Sequence, residues 1–183
     1  ALIPSMLNEN GEFHSSRNFR EHFKLGEELI DFDEACIEIR AQHDRFVEIV
    51  GREPDYFEAH AVMSKNLNRA ISAVAQELGL KEQKANFDPA AVVHCGDADL
   101  RMVMRSMEPD YEPKEAIMQT VREMVEGETV IFVCHPGYLD RFILENSSLT
   151  TDRTKEVDAL IDPGLRAWLE SQPDLRLIDY RDL

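Results

Sequence analysis

The run TVIFVCHPGYLD at residues 129–140 constrains the fold of this chain more than any other stretch. Five consecutive apolar residues, Val130 to Cys134, leave no polar side for water, and the run is too short for a buried helix. A strand covered on both faces accounts for it, and such strands belong to parallel sheets flanked by helices. The run stops on His135-Pro136-Gly137. Proline restricts one φ and glycine frees the next, so a sharp turn there would hold an imidazole at the rim of the sheet. His135 either closes the strand or is aimed at a ligand.

The remaining pattern alternates between helix and strand. From Asp31, Ala35, Ile39, Gln42, Phe46 and Ile49 recur at helical spacing, with Gly51 at the C-terminal cap. Gln42 lies on that apolar stripe, either as a buried amide satisfied by backbone or as a ligand-facing group. Pro54 forbids the helix from continuing. Asp55 to Ala59 suit a short strand with His60 at its end, and Lys65 to Leu80 a second helix closing near Gly79. AAVVH at 90–94 is expected as a short strand and LRMVMRSM at 100–107 as a short helix. Pro113 stands at a helix start, with Ile117, Val121 and Met124 or Val125 along one face and Gly127 past the end. Helices are expected from Asp152 to Leu160 and from Leu165 to Ser171, then a last strand from Leu175 to Tyr180. Residues 1–24, with turn chemistry at Pro4 and from Asn8 to Gly11, read as loop. The class is α/β. With no repeat, low-complexity tract or interdomain linker, residues 1–183 read as a single domain.

The 183 residues suffice for one domain with a real core. A net charge of −16 disfavours nucleic acid and anionic membranes, whose phosphates would be repelled. No apolar run approaches the roughly 18 residues of a membrane span, and no secretory signal opens the chain. Cys36, Cys95 and Cys134 are odd in number and far apart, which suggests neither a disulfide framework nor a thiolate zinc site. A reducing, cytoplasmic setting is the expectation.

Side chains at the carboxyl ends of parallel strands face the site in α/β folds. His60, after DYFEA, and His135, after VIFVC, are both placed this way and are expected at one rim, as parts either of the structure or of a shared site. Imidazole binds metals as the neutral base and exchanges protons near neutral pH. Glu58 projects from the same side of its strand as His60. It would orient that ring, add a ligand, or form an ordinary rim salt bridge. His14 and His22 lie in the opening segment, and His43 stands in a charged neighbourhood beside the buried stripe. His94, near Cys95, Asp97 and Asp99, suggests either a metal cluster or a loop with capping aspartates. Cys134 points away from the face of His135 and reads as core. No P-loop, dinucleotide fingerprint or GxSxG elbow is present.

Five phrases taken together, LIPSMLNENGEF, EIRAQHDRFVEIVGREPDYFEAH, EGETVIFVCHPGYLD, the helix with Arg153-x-x-Glu156 and the closing LIDYRDL, resemble the YdjC-like carbohydrate deacetylases, including the chitooligosaccharide deacetylases. The order runs over nearly the whole chain. The resemblance implies a (β/α) barrel-like fold, of which residues 1–183 would be the C-terminal two thirds, lacking the family's N-terminal strands. It also implies a divalent metal ion, magnesium or zinc, that polarises an N-acetyl carbonyl and activates water for amide hydrolysis. Glu58-Ala59-His60 matches the family's aspartate-serine-histidine phrase, which makes His60 a metal ligand. His135 to Gly137 matches the histidine-proline-glycine phrase, which makes His135 a proton donor or orienting group at the substrate, flanked by Pro136 and Gly137.

This chain departs from the pattern in carrying Glu58 for aspartate and Ala61, followed by Val62, where a second histidine often stands. An arginine often found after the next helix is not evident in LKEQKANF. The family's aspartate pair and a further histidine ligand would lie ahead of the opening phrase, so one histidine remains where such sites generally need three protein ligands. The expected partner is a small carbohydrate, with a homodimer left open. Alternatives are a non-catalytic carbohydrate-binding relative and a hydrolase of another amide or ester on the same fold.

Overall fold

The opening segment is folded, against the expectation of loop. Pro4–Met6 form a turn of 3₁₀ helix, and Ser15 accepts a hydrogen bond from the Asn18 backbone N–H to start α1 (Ser16–Lys24). Only Phe19 of this helix is fully buried, too sparse an anchor to register as periodicity. The structure, a computed structural model, describes residues 2–84 and 92–183. They form two compact units. The first comprises residues 2–84, 93–98 and 180–183, the second residues 92 and 99–179.

In the first unit, Asp31 caps α2 (Phe32–Val50) by accepting from the N–H groups of Asp33 and Glu34. Gly51 ends it at φ 76°, a left-handed conformation that costs glycine nothing. The helix then gives way to β1 (Tyr56–Glu58), α3 (Lys65–Leu78) and β2 (Lys81–Gln83). β1 and β2 pair in parallel, Tyr56 opposite Lys81 and Glu58 opposite Gln83, so α3 is the crossover that parallel pairing requires. β3 (Val92–Cys95) runs antiparallel to β2, so pairing is mixed where an all-parallel sheet was expected. Residues 85–91, which include the start of AAVVH and the last three residues of the stretch searched for the family arginine, lie outside the described residues. The core joins Met6, Phe19, Ile30, Ala35, Cys36, Ala70 and Val74. Gln42 is exposed and donates to Glu38 Oε1 at 2.8 Å, so it is not the buried amide that its stripe suggested. At the chain's end Tyr180 stacks on Tyr56 with centroids 3.6 Å apart.

The second unit repeats the strand-helix-strand plan. β4 (Ala98–Val103) and β5 (Thr129–Phe132) pair in parallel from Leu100 opposite Thr129 to Val103 opposite Phe132, with α4 (Pro113–Glu123) between them. LRMVMRSM is therefore mostly strand and not helix. Arg101, which would be stranded on a sheet, is paired with Glu128, its Nη2 lying 3.1 Å from Oε2. β5 is half-buried at every position rather than sealed on both faces. Next come α5 (Arg141–Asn146), absent from the sequence reading, then α6 (Thr151–Ile161) and α7 (Pro163–Glu170). Ile117, Ala159 and Leu165 make the core, with Phe132 and Trp168 against it. Leu175 to Tyr180 form no strand; Leu177 and Ile178 are exposed.

Candidate functional site

β5 delivers the chain to His135, and three segments grip it there. The His135 backbone N–H donates to Glu156 Oε2 at 2.6 Å. The other carboxylate oxygen, Oε1, accepts from the Tyr111 hydroxyl at 3.0 Å. Glu156 is completely buried, at 0% exposure, which a carboxylate tolerates only when its oxygens are bonded. One turn earlier on α6, Arg153 donates through Nη1 to the His135 carbonyl at 3.3 Å and through Nε to the Leu149 carbonyl at 2.9 Å. Gly137 N–H donates back to the Arg153 carbonyl at 3.3 Å. Both backbone polar groups of His135 are thus held by one face of one helix.

The imidazole is held as well. Its Nδ1 lies 3.2 Å from Ser106 Oγ, in the loop after β4, and Ser106 is 1% exposed. Lys155 fixes the same loop by donating to the Tyr111 carbonyl at 2.9 Å. Burial and the Glu156 carboxylate together push the Tyr111 hydroxyl well above its ordinary pKa, so it remains a donor. Cys134 is driven to about 11, by burial first and then by Glu156, and at neutral pH is a thiol, in line with its reading as core. Pro136 is exposed. Gly137 does not adopt a positive φ, and a Cβ there would meet Arg153 only at ordinary contact, 3.7 Å. The clamp therefore shapes the corner, and no left-handed glycine is involved.

In the first unit His60 follows β1 and borders a cleft of about 490 Å³, with Glu58, Tyr56, His14 and His43 among its lining. Burial raises the Glu58 carboxyl above its ordinary value, while His60 pulls it the other way. The backbone past His60 is strained: Ala61 has φ 57°, a conformation that costs a Cβ-bearing residue roughly 1–2 kcal/mol. Beyond it the segment is anchored. Ser64 Oγ donates to Glu28 Oε1 at 2.7 Å, and Glu28 Oε2 accepts from Lys65 N at 2.7 Å and Asn66 N at 3.1 Å, a carboxylate at the start of α3. His43 is tied to Glu53 and Asp44, and His22 to Glu27. Among the described residues no three His, Cys, Asp or Glu side chains stand close enough to hold a metal ion, the His94-Cys95-Asp97-Asp99 stretch included. Glu58 and His60 offer two donor groups, short of a complete site for the ion that the resemblance implies.

His60 and His135 were legible from their places after strands. Ser106, Tyr111 and the roles of Arg153 and Glu156 were not. The usable signal was an acidic residue at helical spacing from Ala159 and Leu160, where an apolar side chain belongs.

A sequence profile of the YdjC-like protein family matches residues 1–171. Carbohydrate deacetylase 2 of Listeria innocua is 27% identical over 182 residues, which is 98% of this chain and 70% of that protein. Chitooligosaccharide deacetylase of Klebsiella pneumoniae is 27% identical over 166 residues, 86% of this chain and 64% of that one. The crystal structure of an Enterococcus faecalis V583 protein, provisionally described as a cellobiose-phosphate cleavage protein, superposes with a TM-score of 0.75 at 22% identity, covering 99% of this chain and 69% of that one. That likeness shows the fold and agrees with the α/β class read from the sequence. With a family profile spanning nearly its whole length, the chain belongs to the YdjC-like protein family.

Proposed function

We propose that this protein is a carbohydrate deacetylase, hydrolysing the N-acetyl amide of an acetylated sugar of the chitooligosaccharide type. The observation that carries the reading is the family match over residues 1–171, joined to relatives named as deacetylases. His135 is the proton donor or orienting group at the substrate, flanked by Pro136 and Gly137. Its support is the buried clamp on both of its backbone groups, since a general acid must be held within hydrogen-bonding reach of its target. His60 is a ligand of a divalent ion, magnesium or zinc, with Glu58 beside it. Three free cysteines support a cytoplasmic setting, and no helix of the described residues is long and apolar enough to cross a membrane. The test is acetate release from N-acetylated chitooligosaccharides and from other acetyl amides and esters. Wild type should favour the sugars, and His135→Gln, folded by circular dichroism, should lose about a hundredfold or more. Undiminished release by that variant overturns the role of His135.

A second reading, a non-catalytic carbohydrate-binding relative, is favoured by one observation: the described residues hold no three-donor group. Metal content separates the two readings. About one divalent ion per purified full-length chain supports the enzyme; none, with sugar binding intact, supports the relative.

A further inference from the structure

The contact between His135 and Ser106 carries more than a position. Ser106 is 1% exposed, and among the described residues the only hydrogen-bond partner of its hydroxyl is His135 Nδ1 at 3.2 Å. Two arrangements fit that distance. If Nδ1 carried the proton and donated to Oγ, the serine O–H would be a buried donor without an acceptor, which is costly. If the serine O–H donates to a bare Nδ1, the donor is used, and only lone pairs, which are cheaper to leave idle, stay unfilled. The second arrangement places the ring proton on Nε2, the nitrogen turned away from Ser106.

We propose that Ser106 is a positioning residue that holds neutral His135 as the Nε2–H tautomer, so that the ring presents an N–H donor to the substrate. The Glu156–Tyr111 and Arg153 contacts fix the backbone beneath it, and the serine fixes the rotation and tautomer of the ring. For an amide substrate, the Nε2–H of the neutral ring would donate a hydrogen bond to the carbonyl oxygen, which is the orienting role; a bare Nε2 could only accept, and handing a proton to the departing nitrogen requires the imidazolium. The catalytic meaning rests on the deacetylase reading, whereas the tautomer does not.

The test is long-range ¹H–¹⁵N correlation of the imidazole nitrogens in the full-length protein, at a pH where His135 is neutral, with its signals assigned by their loss in His135→Gln. Wild type should show a bare, hydrogen-bonded Nδ1 and a protonated Nε2. Ser106→Ala should shift Nδ1 and bring the two nitrogens towards averaged positions, while Ser106→Thr, which keeps the hydroxyl, should restore the wild-type pattern. On acetylated chitooligosaccharides, Ser106→Ala should lower kcat about tenfold or more with KM little changed. A protonated Nδ1 in wild type overturns the assignment, as do Nδ1 shifts unchanged in a Ser106→Ala protein whose amide spectrum remains dispersed. Absence of acetate release from wild type with the tautomer pattern intact overturns the deacetylase reading and leaves the assignment standing.

Discussion

Both ring nitrogens of His43 face carboxylates, Nε2 at 2.6 Å from Glu53 Oε2 and Nδ1 at 3.1 Å from Asp44 Oδ1, and the ring meets the edge of Phe57. Those hydrogen bonds, Glu53 first, raise its pKa above the ordinary value near ~6.5. The sign follows from linkage: a raised folded pKa adds stability that is complete below the unfolded pKa and fades as pH rises through the folded one. The thermal-unfolding advantage of wild type over His43→Gln should therefore be largest near ~pH 5.5–6 and shrink towards pH ~9. The exposed partners keep the effect small and salt-sensitive. An advantage that grows with pH would contradict the assignment. At Ala61, φ 57° is strained for alanine and free for glycine. Ala61→Gly should thus raise the denaturant midpoint, by about 0.5–1 kcal/mol of stability. Of the two candidate histidines the sequence showed the position, since each follows a strand. The surroundings of His135 were hidden because Glu156 is an acid, and acids are almost never fully buried unless bonded, so its residue type alone does not suggest a place beneath His135.

At the scale of elements, caps were legible and strand faces less so. Gly51 and Gly79 both adopt the left-handed conformation at the helix ends where the sequence placed them. LRMVMRSM misled because Arg101 and Arg105 stand four apart, as on a helix face, while the partner that makes Arg101 acceptable in a strand, Glu128, lies on the approach to β5. LRLIDY misled in the other direction: its apolar Leu175, Leu177 and Ile178 suggested a strand, but residues 175–180 form none. The N-terminus of α3 concentrates several bonds in one residue. Ser64 accepts from Leu67 N at 2.9 Å and donates to Glu28. Ser64→Ala should cost about 1–3 kcal/mol in chemical denaturation, more than an exposed cap alone. A loss of only a few tenths would mean that Glu28 holds the helix without it.

For the whole molecule, the α/β class and the family were legible, because parallel crossovers impose a recurring strand-helix-strand pattern and because the quoted phrases keep their order. The donor set of a metal site was not, since spacing along a chain does not show which distant side chains meet. The claim that everything functional depends on is that His60 serves hydrolysis through a bound ion. Its most direct measurement is acetate release from N-acetylated chitooligosaccharides by full-length wild type and by His60→Ala, both verified as folded. Wild type should release acetate and lose that activity to a chelator, and the variant should fall at least about a hundredfold; a His60→Ala protein that turns over at the wild-type rate would contradict the account.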